Sequence, residues 1–281
     1  MGTKAWVRSH TPPTLLRGYR ALRSRQTGAA VPGERLCLDG DFASWEEACE
    51  ASTGYAADII LERTKAALLQ VKYGNAVYER DSVLFDEIQY AWPLLAGLMW
   101  IAAQDNGRLN VLDFGGSLGS TYFQNRGFLA DLPEVRWNIV EQPRHVEVGR
   151  GFFEDEQLRF YASVDECTAH TQPNVIILSG VLQFFRDPHK TLTDLSSLGC
   201  GHLIVDRTPF WNGPTDRLCV EHVPEYIYPA SYPSWIFSTR RFRSHIEESW
   251  VVAAEFDALD RLPGPVECTF RGMIASRREP V

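Results

Sequence analysis

The sequence predicts a mixed α/β fold built on a Rossmann-like, doubly wound sheet and preceded by a helical N-terminal region. Two observations carry that prediction. From about residue 110 onward, short apolar runs alternate with helical stretches, the rhythm of a parallel sheet covered on both faces. The first of these runs, NVLDF, leads directly into GGSLG and then into Ser120, Thr121 and Tyr122, which open a helix. Strand, glycine turn and helix together form the shape that holds nucleotides at the carboxyl edge of a sheet.

Composition bounds the rest. A chain of 281 residues can bury one substantial core, and 44% hydrophobic with 23% charged residues excludes wholesale disorder. The net charge of -8 disfavours DNA and RNA as partners, because a nucleic-acid footprint needs a basic face. Six cysteines, at 37, 49, 167, 200, 219 and 268, form no C-x-x-C pair and no zinc-ligand spacing, so they read as reduced structural thiols and no metal is expected. No apolar run approaches the roughly 20 residues of a membrane span, and the N-terminus lacks a signal-peptide core. The expectation is a soluble, cytoplasmic protein.

Taken in order, residues 1–40 read as a basic arm, with Lys4, Arg8, Arg17, Arg20, Arg23, Arg25 and Arg35 against Glu34. With its apolar stripe of Leu15, Leu16, Tyr19 and Leu22 it fits either weak contact with an anionic membrane surface or an acidic partner, or else a short helix packed on the body or a frayed terminus. Residues 41–106 read as a helical cap. Ser44 with Glu46 and Glu47 forms an N-cap and acidic first turn, Ala56 to Val71 continues helical, and a further helix is expected from Val83 to Gln104, interrupted or restarted near Pro93.

Residues 107–281 read as the nucleotide-binding domain. Its strands are expected at Asn110–Phe114, Trp137–Glu141, Arg159–Tyr161, Val175–Ser179 and His202–Asp206. A long insertion follows strand five. Trp250–Asp257 and Cys268–Ser276, separated by Leu262-Pro263-Gly264-Pro265, then suggest an antiparallel closing pair.

The glycine turn discriminates among cofactors. A dinucleotide fingerprint starting at Gly115 would need glycines where Ser117 and Ser120 stand, and a P-loop would need a lysine that is absent. What remains, D-x-G-G-x-x-G, is similar to motif I of the class I S-adenosylmethionine-dependent methyltransferases. Glycines at 115, 116 and 119 would let the methionine end of that cofactor lie against main chain, with Ser117 in the same turn. Asp113 would meet its ammonium group, usually through water. Glu141, 22 residues beyond Gly119 and followed by Gln142, fits an acid that accepts both ribose hydroxyls. RFYAS, ending at Ser163, would flank the adenine, and LSGVLQF, containing Leu182, would follow strand four where the methyl group points.

The longer segments GNAVYERDSVLFD, VLDFGGSLGSTYFQN, WNIVEQ, LSGVLQFF, IVDRTPF and IYPASYPSWIF resemble a bacterial methyltransferase family, known mainly from its sequences, whose members often lie among polysaccharide or surface-glycan genes. The resemblance runs from about residue 40 to 278. It implies a seven-stranded class I methyltransferase sheet with an N-terminal helical cap and S-adenosyl-L-methionine as cofactor. It says little about the acceptor.

Methyl transfer needs an aligned acceptor, excluded water and, for a hydroxyl acceptor, a base. His222 in VEHVPEY is the leading candidate base and Asp206, closing strand five, the alternative. Arg207 fits a clamp on an acceptor phosphate or carboxylate, or else a salt bridge to Asp206 or Glu221. In YERDSVLFDE, Tyr78, Arg80 and Asp81 fit a lid over the methionine end and the acceptor, whereas Asp81 or Ser82 could equally cap a helix from Val83. Tyr228, Tyr232, Trp235 and Phe237 form an aromatic cluster suited to stacking on a sugar or to packing a loop. The functional expectation is methyl transfer to oxygen or nitrogen of a small polar acceptor, such as a sugar or sugar nucleotide. A methyltransferase fold reduced to a binding or scaffold module, or an NAD-dependent oxidoreductase, are the alternatives.

Overall fold

A computed structural model describes residues 37–54, 57–224, 227–228, 230–260 and 266–278. Residues 1–36 of the expected basic arm and the turn at 262–265 lie outside the described residues.

The N-terminal region begins with β1 (Cys37–Phe42), α1 (Trp45–Glu50) and α2 (Ala57–Lys72). Ser44 caps α1 as expected: its side chain accepts from the Glu47 amide at 3.2 Å, while Glu47 Oε2 accepts from the Ala43 amide at 3.0 Å. The expected helix at Val83–Gln104 is only partly present. Helix α3 starts at Trp92 and runs to Gln104, with Pro93 in its first turn. Ahead of it, β2 (Tyr78–Arg80) and β3 (Val83–Phe85) form a hairpin paired Tyr78 to Phe85, Glu79 to Leu84 and Arg80 to Val83. Asp81 and Ser82 both take positive φ, 51° and 68°, which makes them the two-residue turn of that hairpin and not the cap of a helix.

The expected strands all form: β4 (Arg108–Phe114), β5 (Glu134–Val140), β6 (Leu158–Tyr161), β7 (Val175–Ser179) and β8 (His202–Trp211). Between them run α4 (Ser120–Leu129), α5 (Pro143–Phe152), α6 (Val164–His170), a 3₁₀ turn at Leu182–Phe184 and α7 (Pro188–Ser196). After β8 come β9 (Arg217–Val223), β10 (Ala230–Ser238), α8 (Thr239–Ser249), β11 (Trp250–Asp257) and β12 (Thr269–Arg277). The parallel strands lie in the order β6-β5-β4-β7-β8; β12 pairs antiparallel with β8, and β11 with β12. This is the Rossmann-like seven-stranded arrangement that the sequence predicts, with its chain reversal between β4 and β7.

Both faces of that sheet are covered. Trp137, Ile139, Leu109 and Val111 pack with Leu94, Leu98 and Ile101 of α3 on one side. Leu112, Ile176, Leu178 and Val205 pack with Leu192 of α7 and Phe242 and Ile246 of α8 on the other. Two-sided burial is why VIIL in β7 reads as an uninterrupted apolar run.

The segment after β8 is strand where a long insertion was expected. β9 and β10 pair antiparallel, β1 adds to the outer edge of β9, and β10 joins β8 in parallel at Phe237–Phe210 and Ser238–Trp211. β1 thus straddles the boundary expected at residue 40. One irregularity bears on the site. Pairing of β8 with β12 shifts between Val205–Met273 and Thr208–Arg271, so Asp206 and Arg207 together oppose Gly272. That is a bulge, with Arg207 at φ 52°, and it re-aims side chains at the carboxyl end of the sheet. Gly272 is required there, since a Cβ would lie 2.6 Å from the Val205 carbonyl oxygen.

Candidate functional site

The turn after β4 is held by its own main chain. The Gly115 amide donates to the Val140 carbonyl at 2.9 Å and the Gly119 amide to the Gly116 carbonyl at 3.0 Å. A Cβ on Gly115, at φ 72°, would meet Val181 Cγ2 at 2.3 Å, and one on Gly116 would meet the Asp113 carboxyl at 2.5 Å. Gly119, at φ 101°, is the N-cap residue of α4, and Ser117 carries φ 53°. The chain therefore needs glycine at 115 and 116 for its own packing, before any ligand is considered.

Asp113 lies beneath this turn. It is 1% exposed, and its Oδ2 accepts from the Trp137 indole at 2.9 Å. Burial pushes its carboxyl up to about 7, against the lowering effect of the Trp137 hydrogen bond. Glu141 follows β5, its amide donating to the Tyr161 carbonyl at 3.1 Å and its Oε2 accepting from the Gln142 amide at 2.6 Å. Gln142 is the exposed N-cap residue of α5. Ser163 is exposed and caps α6, accepting from the Glu166 amide at 3.0 Å. Leu182 differs: it is fully buried in the core beside Leu178 and Leu192, so its side chain lines no cleft.

A small cleft opens at the carboxyl ends of β4, β7 and β8, lined among others by Tyr78, Arg80, Ser120, Thr121, Ser179, Asp206 and Arg207. The β2–β3 hairpin forms one wall and is pegged to α4. Ser120 Oγ donates to Glu79 Oε2, the Ser82 amide donates to Glu79 Oε1 at 2.7 Å, and Gln124 Nε2 donates to the Tyr78 hydroxyl at 3.0 Å. Glu79 is 1% exposed, and burial lifts its carboxyl to about 7 despite those two hydrogen bonds.

At the floor, Arg207 Nε and Nη2 donate to the two oxygens of Asp260 at 3.0 and 3.1 Å, and Nη2 also donates to Asp81 Oδ2 at 2.5 Å. The salt bridge open to Arg207 in the sequence thus goes to Asp81 and Asp260, and not through its side chain to Asp206 or Glu221. Asp206 Oδ1 instead accepts from the Arg207 amide at 2.8 Å, and burial raises Asp206 to about 6. Burial also opposes ionisation of Asp260, but Arg207 overrides it and holds that carboxyl below its ordinary value.

Behind these lies Glu221, buried, its Oε1 accepting from the Tyr232 hydroxyl at 3.5 Å. Burial first, and then the neighbouring Asp81 charge, push it up to about 8. Strand alternation in β9 turns the next residue, His222, the other way, onto the face that Leu218 and Val220 present to Ala48 of α1. The structure therefore brings Tyr78, Arg80, Asp81, Asp206, Arg207 and Tyr232 to one region and leaves His222 apart from them. Glu79 and Asp260 join the region without having been singled out in the sequence, and Glu221, named there only as a salt-bridge partner for Arg207, joins it as a buried acid. For Glu221 the available signal was the alternation of VEHV, visible once that segment is read as strand. Among the described residues, no group of three or more His, Cys, Asp or Glu is placed to hold a metal ion.

No family model matches the chain, and no curated protein matches it. Among solved structures, it is similar to the N-terminal domain of EvdMO1 crystallised in the presence of S-adenosylhomocysteine and D-fucose, with 14% identity over 72% of this chain and 90% of that one and a TM-score of 0.46. It is similar to the Burkholderia thailandensis 1,6-didemethyltoxoflavin-N1-methyltransferase at 16% identity, 86% and 94% coverage and a TM-score of 0.40. The magnesium protoporphyrin IX methyltransferase of Synechocystis PCC 6803 shares 14% identity over 66% and 82%, with a TM-score of 0.44.

Proposed function

We propose that the chain is an S-adenosylmethionine-dependent methyltransferase acting on oxygen or nitrogen of a small polar acceptor. The observation that carries this reading is the alignment, along one edge of the sheet, of the glycine turn, the Glu141 carboxylate and the cleft beside β8. Those parts fit the cofactor. The first turn of α4 presents backbone N–H groups, and Glu141 keeps Oε1 for ribose hydroxyls while Oε2 is fixed by Gln142. Asp113 acts indirectly in this reading, since its carboxyl lies under Gly116 and supports the shelf.

Bound there, S-adenosylmethionine would supply an electrophilic methyl carbon on its sulfonium, with the thioether S-adenosylhomocysteine as the leaving group. The chain orients the acceptor in the cleft and excludes water with the β2–β3 hairpin. Asp206 is favoured over His222 as the group that takes the acceptor's proton, because it lines the cleft and its carboxyl near 6 is suited to a base at neutral pH. A sugar or sugar nucleotide is the acceptor we favour, on the family resemblance; Tyr228 and Tyr232 pack instead in a core cluster with Ile60, Val223 and Ala230.

Calorimetric titration tests the cofactor. S-adenosylmethionine and S-adenosylhomocysteine are expected to bind and NAD is not, with Glu141→Ala weakening binding by about 10- to 100-fold. Failure of both to bind wild-type protein would make the chain a binding or scaffold module on this fold, and NAD binding would make it an oxidoreductase.

A further inference from the structure

The cleft contains two guanidiniums in opposite situations. Arg207 is paired, its Nε and Nη2 on Asp260 and its Nη2 also on Asp81. Arg80, on β2 in the same cleft, has Nη1 buried with no hydrogen-bond partner, and among the described residues no carboxylate lies within ion-pair distance of it. Its charged carbon stands 5.6 Å from the Phe85 ring, a contact that leaves the N–H edge uncommitted.

An uncompensated buried N–H of a charged group is costly, so its presence needs a reason. The neighbouring carboxyls do not supply one. Asp81 and Asp260 are held by Arg207, Asp206 accepts from a backbone amide, and Glu79 accepts from Ser120 and Ser82. Every acid bordering the cleft has a donor, while Arg80 Nη1 has no acceptor; Asp206 and Asp260 feel the Arg80 charge without a hydrogen bond to it. The pegs from Glu79 to Ser120 and from Tyr78 to Gln124 hold β2 against the first turn of α4, so Arg80 is presented to the cleft beside Ser120 and Thr121.

We propose that this cleft is an oxyanion-binding site in which Arg80 grips a carboxylate or phosphate group of a bound molecule. The oxyanion has two available sources. One is the amino-acid carboxylate of the cofactor, which deepens the methyltransferase reading and rests on it. The other is an anionic group of the acceptor, which does not require that reading. A guanidinium supplies the planar fork that both chemistries need, and a lysine would not.

The test uses the full chain and four probes: S-adenosylhomocysteine, its carboxamide in which the carboxylate is neutral, inorganic phosphate and pyrophosphate. If the cofactor carboxylate is the partner, wild type prefers the acid over the amide by about 10- to 100-fold, and Arg80→Met binds the two equally. If the acceptor supplies the anion, acid and amide bind alike, phosphate or pyrophosphate binds wild type in the presence of saturating S-adenosylhomocysteine, and Arg80→Met abolishes that binding. Arg80→Lys, which keeps the charge and loses the fork, should retain part of either effect. The inference is overturned if wild type treats acid and amide alike and binds neither phosphate nor pyrophosphate, a result that needs no variant to fold. Should wild type bind no adenosyl ligand yet bind phosphate through Arg80, the methyltransferase reading fails and the oxyanion site stands.

Discussion

At the residue scale, Gly116 and Glu221 show how much a side chain's neighbours decide. In the sequence Gly116 is a glycine that a cofactor could demand; in the structure its missing Cβ is demanded by Asp113, 2.5 Å away. Gly116→Ala should therefore destabilise the ligand-free protein by about 1–3 kcal/mol, visible as a lowered melting temperature without any cofactor present. An unchanged melting temperature with lost binding would return the glycine to the cofactor alone.

Glu221 makes the opposite prediction. Its carboxyl is raised from an ordinary 4.5 to about 8, so the folded chain holds that proton more tightly than the unfolded one. The penalty is absent below the ordinary value and grows as pH rises towards 8. Glu221→Gln should thus raise the melting temperature near pH 8 and leave it nearly unchanged near pH 5, as thermal unfolding at the two pH values would report. A gain of the same size at both would place the effect in packing and not in ionisation. Buried acids kept at such a cost belong more often to sites than to scaffolds.

At the scale of elements, the β2–β3 hairpin is the most informative departure from expectation. YERDSVLF carries no Asn-Gly or Asp-Gly signal, and Asp81-Ser82 takes a turn that such dipeptides usually fill, at some conformational cost. Its pegs offset that cost: Glu79 accepts from both Ser82 and Ser120, and Ser82 Oγ pairs with Thr64 Oγ1 at 2.8 Å. Glu79→Ala should speed amide exchange across residues 78–85 while the β7 amides stay protected, which hydrogen-exchange mass spectrometry resolves. Equal protection in the variant would mean that packing of Tyr78 on Phe85, with rings 5.5 Å apart, holds the hairpin without those hydrogen bonds.

β9 and β10 escaped a sequence reading for a related reason. β10 reads ASYPSWIFS and is buried at nearly every position, so it lacks the alternation that marks a half-exposed strand, and Pro233 counts against a central strand. By contrast the apolar runs of β4, β5 and β7 were legible because a parallel strand needs nothing beyond continuous hydrophobicity and a turn signal at each end.

For the molecule as a whole, the carboxyls around the cleft behave as a set. Asp206 sits near 6, Glu79 and Asp113 near 7, each lifted first by burial. A sulfonium and an ammonium brought close to them favour their ionised forms, so a cationic cofactor should expel protons on binding. Affinity for S-adenosylmethionine is then expected to rise with pH through about 6 to 7 and to level off above. Titrations in buffers of different ionisation enthalpy would measure the protons released; uptake of protons, or a flat profile, would show that these acids do not sense the cofactor's charge.

What the sequence determined by itself was whatever depends on short-range pattern: the strands and their order of appearance, the capped helix at Ser44, the glycine turn from 115 to 119 and the carboxylate at 141, because each is written within a few consecutive residues. What only the tertiary structure decided was which distant side chains meet. Arg207 finds Asp81 across 126 residues and Asp260 across 53, Glu221 turns inward where His222 turns away, and Arg80 Nη1 is left without an acceptor. Those outcomes depend on the bulge in β8, the parity of β9 and the seating of a hairpin on α4. None of the three is encoded locally, since each arises where one element is packed against another.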